Sequence, residues 1–304
     1  MRRSDIVGVR PPEQRRVPPR PGLLWSVFLL LVLLWGSVFL AAKKALVVFS
    51  PEELACIRYM ATGVVLAPWA LRSVRTVRRE TLGPLLICGF VGSVGPVLLV
   101  NFAQLSVSSA TAGMFSALTP IVAALVGWLF FSNRISSREA AALVIGFSGA
   151  LLLMLSRQQG GDTLALSPPS LLLLLACVCW SVSAQVTRRY LYRENTLAMT
   201  GWAFLFILPV AWGGLLAYGT LPRMLAADAT PVAFALLCML ISTAAVIGYN
   251  WLIVNGGPLF ALSTTYLVPV VAIAWGLLDG ETVQPLQFLG LALALLGLWL
   301  MQRR

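Results

Sequence analysis

Residues 108–128 read SSATAGMFSALTPIVAALVGW, and residues 258–276 read PLFALSTTYLVPVVAIAWG. These stretches are copies of one pattern. Asn101 stands nineteen residues before Pro120, and Gly127 follows that proline by seven. Asn250, Pro269 and Gly276 keep both spacings. A long repeat in sequence this apolar is the mark of a duplicated membrane bundle.

The duplication reaches outward on both sides. Trp35 precedes Lys43-Lys44 by eight residues, and Trp180 precedes Arg188-Arg189 by eight. Beyond the prolines one residue is lost, so Asn133 aligns with Glu281 and Gly149 with Gly297.

The chain is 59% hydrophobic and only 11% charged, against about 25% charged in a soluble domain. Mean hydropathy is +0.88. Apolar runs near twenty residues recur, each about long enough to cross ~30 Å of hydrocarbon as a helix. The fold class is therefore all-α integral membrane. Ten spans are expected, at roughly 22–42, 51–71, 82–103, 107–131, 138–156, 168–187, 197–218, 230–254, 258–278 and 284–301. They group as a basic cytoplasmic tail (1–21, disordered) and two five-helix repeats, 22–156 and 168–302. Five is odd, so the second repeat enters the membrane from the opposite side. Inverted repeats of this kind let one scaffold open alternately to either face.

The net charge of +11 sits in the tail and the short connections, without an aromatic-interleaved basic face, which argues against nucleic acid. Seventeen Lys and Arg fall on one side and four on the other, with Arg58 inside a span. The bias puts both termini in the cytoplasm, and the expected location is a bacterial-type inner (plasma) membrane. Cys56, Cys88, Cys177, Cys179 and Cys238 all lie in apolar runs, and there is no histidine. Neither a zinc nor a haem site is expected, and no cofactor.

Several stretches resemble the EamA-type transporters of the drug/metabolite transporter superfamily. The first half carries LLWGSVFLAAKKAL (33–46), PEELACIRYMATGVVLAP (51–68) and ALTPIVAALVGW (117–128). The second carries YLVPVVAIAWGLLDGETV (266–283) and LGLALALLGLWLM (289–301). The resemblance covers nearly all of residues 22–302. It implies ten helices with cytoplasmic termini and export of small metabolites, from amino acids and nucleobases to drugs and metallophores. In one place the chain departs from the family. Members often carry Glu after the proline-containing helix in both halves; here Glu281 keeps the second, but the first is Asn133.

Arg58 is the most informative residue. It lies seven positions past Pro51, about 10 Å into the second span. An arginine there costs at least ~2.5 kcal/mol unless it meets water or a partner. It either anchors a substrate carboxylate in a cavity, or snorkels or pairs with Glu52, Glu53 or Glu281. Pro120 and Pro269 free the carbonyls of Ser116 and Thr265, marking hinges that line a cavity or tolerated kinks. Asn101 and Asn250 contact substrate or bond across helices. Trp35, Phe39, Tyr59, Phe115, Trp180, Trp202 and Tyr266 line an aromatic pocket or pack. Coupling, if by protons, falls to Glu53 or Glu281, and facilitated export is equally compatible.

The leading function is a secondary exporter of small polar or zwitterionic metabolites. Flipping of a lipid-linked or amphiphilic substrate is the alternative. A membrane enzyme would want clustered carboxylates, histidines or a large polar loop, and none is present; nor is a phosphate-binding loop for an ATP-driven pump. The expected partners are the lipid bilayer, a small-molecule substrate and, if coupled, a proton; a monomer and a homodimer are equally compatible.

Overall fold

The structure, a computed structural model, describes residues 21–74, 77–131, 136–155, 167–191, 195–257, 260–261 and 263–302. The tail at 1–20, Asn133, the loop Gly160-Gly161-Asp162 and Leu262 lie outside the described residues. So do Pro258, Arg134, Arg157, Arg193, Arg303 and Arg304.

The described residues are helical, with no strand among them. In chain order they form α1 (Pro21–Ala45) and α2 (Pro51–Arg72). α3 (Arg79–Gln104) follows, wound as a π-helix over Ile87–Val94. Next come α4a (Ser109–Ser116), α4b (Thr119–Phe131) and α5 (Ser137–Leu155). The second part contains α6 (Pro168–Leu191) and α7 (Thr196–Ala217). A short helix (Thr220–Ala226) leads to α8 (Ala229–Gly256), α9 (Thr264–Leu278) and α10 (Pro285–Gln302). Six of these, α1, α2, α3, α6, α7 and α8, are long and apolar enough to cross a membrane. The pair α4a–α4b, bent by 44°, makes a seventh if it is one span. α9, apolar over 15 residues, rises about 22 Å and is shorter than the 258–278 expected.

Helix starts follow local chemistry. Ser50 caps α2 through the Glu53 amide while Glu53 returns a bond to the Ser50 amide, with Pro51 in the first turn. Ser108, Ser167 and Asn195 cap α4a, α6 and α7 in the same way. The break in α4 falls at Ala117–Leu118, whose amides bond only three residues back, to Met114 and Phe115. Pro120, which lacks an amide hydrogen, stands just beyond. Pro269 behaves differently: α9 runs through it unbroken.

α2 packs along α7, and α5 along α10; α1 packs on α8 and α9, whereas α6 packs on α3 and α4b. Small residues set the spacing. In the α5–α10 seam a Cβ on Gly149 would lie 2.5 Å from the Gly290 carbonyl oxygen and 2.6 Å from the Ala294 amide nitrogen. Gly297 abuts Ala142 and Gly146 in the same seam. In a bilayer, where lipid is as apolar as leucine, such backbone approach is a main source of association.

Candidate functional site

A cluster of buried polar groups lies where α2 meets α8. Arg58 is 9% exposed, and its Nε donates to Ser242 Oγ at 3.0 Å. One turn further along α2 and one residue further along α8, the hydroxyls of Thr62 and Thr243 are 2.9 Å apart. Among the described residues, no carboxylate comes within ion-pair distance of Arg58. Two of the three carboxylates the sequence offered as partners, Glu53 and Glu281, are engaged elsewhere. Glu53 pairs with Arg223 at 2.6 Å and accepts from Thr220. Glu281 accepts from the first turn of α4a. With Nε occupied, the two terminal nitrogens of the guanidinium fork remain, which is the geometry that grips a carboxylate through paired bonds.

Trp35 approaches the same helix. Its ring lies 5.0 Å from that of Tyr249, seven residues along α8 from Ser242, hence on the same face. Phe39, one turn past Trp35, is buried. Across from these, the broken part of α4 is fixed to α6 by a ladder. Cys177 Sγ donates to the Phe115 carbonyl (3.2 Å), Ser181 Oγ to Thr119 (3.2 Å) and Gln185 Nε2 to Ala123 (2.9 Å). Phe115 is buried, while Ser116, Trp180, Thr265 and Tyr266 are half-buried. Ser116 Oγ turns back to the Gly113 carbonyl.

Other candidates serve as ties between helices. Tyr59 donates to the Ser93 carbonyl, and its ring packs on Phe204. Asn101 donates to the Pro51 carbonyl. Asn250 accepts from Thr200 on α7 and donates to Val246 in its own helix. Trp202 donates to Ser73 at the Arg72 end of α2, away from Arg58. Sequence reasoning did not single out Ser242, Thr243 or the ladder donors. The ladder had a signal in its four-residue spacing of Cys177, Ser181 and Gln185; the α8 hydroxyls had none.

The end of the bundle carrying Lys43 is bound by charge. Lys43 Nζ donates to the carbonyls of Gln104 (2.6 Å) and Val107 (2.9 Å). Lys44 pairs with Asp279 at 2.7 Å. Glu281 accepts from the Ser109 amide (2.7 Å), the Ser109 hydroxyl (3.0 Å) and the Ala110 amide (2.9 Å).

Comparison with known proteins gives consistent matches. The profile of the EamA-like transporter family matches residues 21–155 and again 168–303. A probable terminal-alkyne amino-acid exporter of Streptantibioticus cattleyicolor is 26% identical over 92% of this chain and 93% of its own length. The uncharacterized inner membrane transporter YedA of Escherichia coli is 24% identical over 91% of this chain and 88% of its own. One crystal structure of a protein shares the fold with a TM-score of 0.56 at 18% identity. It covers 92% of this chain and 97% of that one.

Proposed function

Because the chain belongs to the EamA-like transporter family, we propose that it is a secondary exporter of small polar or zwitterionic metabolites working by alternating access. Amino acids and amino-acid-derived compounds such as metallophores are the favoured class, with drugs as further substrates. The observation that carries this is Arg58, a buried guanidinium whose one side-chain bond among the described residues, to Ser242, leaves its fork without a carboxylate. The amino-acid exporter among its relatives supports the same class.

Ten spans in two inverted halves, 22–156 and 168–302, are the architecture proposed, with both termini cytoplasmic in an inner membrane. One pair of contacts supports it. Ser181, one residue past Trp180, donates to the carbonyl of Thr119, one residue before Pro120. Gly36, one past Trp35, lies against the carbonyl of Val268, one before Pro269, where a Cβ would be 3.1 Å away. The two halves thus exchange first helices in the same register. If protons are coupled, Glu281 or Glu53 carries them; Glu53 is held by its capping box and Arg223, and Glu281 by the first turn of α4a.

Counterflow in proteoliposomes tests the function. Labelled amino acids, nucleobases and amino-acid-derived metallophores are compared, and a carboxylated compound is expected to exchange. No exchange of any soluble compound would turn the reading to an amphiphile flippase. Ser242→Ala is expected to raise the apparent KM about fivefold with little change in maximal rate, as befits one positioning hydrogen bond of about 1 kcal/mol. A concentration series in the same assay measures it.

A further inference from the structure

The turn between α3 and α4a is gripped from both sides by opposite charges. Lys43, from α1, meets the last carbonyl of α3, that of Gln104 at the negative end of that helix, and the Val107 carbonyl in the turn beyond it. Glu281, from the connection after α9, meets the first amides of α4a, the positive end of the next. Both charges satisfy backbone groups that a helix end leaves open. The Glu281 carboxylate lies against the bare Cα of Gly276, so no side chain separates it from α9. Gln287, at the start of α10, adds a bond to Thr111. α4a itself is only eight residues long and is bent by 44° from α4b; one rung, from Cys177 to the Phe115 carbonyl, ties its last turn to α6, so a swing about the break gives up that rung while Thr119 and Ala123 keep α4b laddered.

We propose that Glu281 is the latch of a gate at the Lys43 end, holding α4a against α9, and that its release lets α4a swing and opens that end. This rests on the transporter reading. Lys43 is the fixed counter-charge that keeps the α3–α4a turn in place as the latch works. Lys44–Asp279, on the half-exposed rim, is a weaker auxiliary tie.

The test reads conformation separately from transport. Cys56, Cys88 and Cys179 are replaced by Ser, while the buried Cys177 and Cys238 are kept, and Ser116→Cys at the break becomes the reporter. Its labelling by a membrane-impermeant maleimide is timed in vesicles of both orientations. From the face bearing Lys43, Glu281→Ala is expected to speed labelling at least about tenfold, the shift that about 1.4 kcal/mol of lost closure produces. Gly276→Ala, whose new methyl would displace the carboxylate, should act in the same direction. Asp279→Asn should do so weakly. Should Glu281→Ala fail to fold, Gly276→Ala and Glu281→Gln decide the matter. Unchanged labelling in variants that elute as a single species overturns the latch, even where wild-type counterflow is present. Faster labelling in a protein with no counterflow supports the latch and removes the exporter reading.

Discussion

Arg58→Ala is expected to remove nearly all exchange of a carboxylated substrate at concentrations below saturation. Truncating one partner of a buried, hydrogen-bonded charge pair costs about 2–5 kcal/mol, or roughly 30- to 3,000-fold in affinity. The loss should appear chiefly in substrate concentration dependence, because the guanidinium binds rather than reacts. Arg58→Lys keeps the charge but loses the planar fork, and should recover only part of the affinity. Size-exclusion elution in detergent checks that the variants fold. Equal uptake by wild type and Arg58→Ala would leave a transporter and take Arg58 out of its site.

Gly149→Val is the change expected to damage the fold most. Its Cβ would meet the Gly290 carbonyl and the Ala294 amide at 2.5 and 2.6 Å. Both are backbone atoms of α10, so no side chain can rotate out of the way and the helices must part. Overpacking of this kind costs typically 1–3 kcal/mol. At roughly 2–4 °C per kcal/mol, the upper end corresponds to a fall of about 6–12 °C in thermal midpoint. Gly213→Ala, with open space around its position, is the matched control and should shift little. A thermal scan in detergent that leaves both variants level with wild type would refute the close-packed seam.

Much of the helical layout could be read from apolar run length. Ser50-Pro51, Ser108 and Asn195 sit at the starts of α2, α4a and α7 as capping chemistry requires. The repeat around Pro120 and Pro269 was visible too, but its mechanical result was not symmetric. In the first copy the break precedes the proline, and in the second the proline lies inside a continuous α9. Proline removes one donor in each case, and neighbouring packing decides where the chain yields. Polar partnerships were far less legible. Arg58 reaches Ser242 across 184 positions, and Glu281 reaches Ser109 across 172. No local pattern encodes which of several carboxylates or hydroxyls such a side chain will meet. The alternative in which Arg58 pairs with Glu52, Glu53 or Glu281 is therefore one that only tertiary structure could remove: Glu53 and Glu281 go to Arg223 and to α4a, and among the described residues no ion pair joins Arg58 to Glu52.

The ladder between α6 and α4 works like the teeth of a rack. Cys177, Ser181 and Gln185 recur every four residues, and so do the carbonyls of Phe115, Thr119 and Ala123 that they engage. A slide of four residues, about 6 Å along the axis, would set Cys177 against Thr119 and Ser181 against Ala123, restoring two rungs. At the midpoint of that slide no donor faces a carbonyl. Any travel along this seam would thus be indexed, with rest positions a full turn apart and a barrier between them.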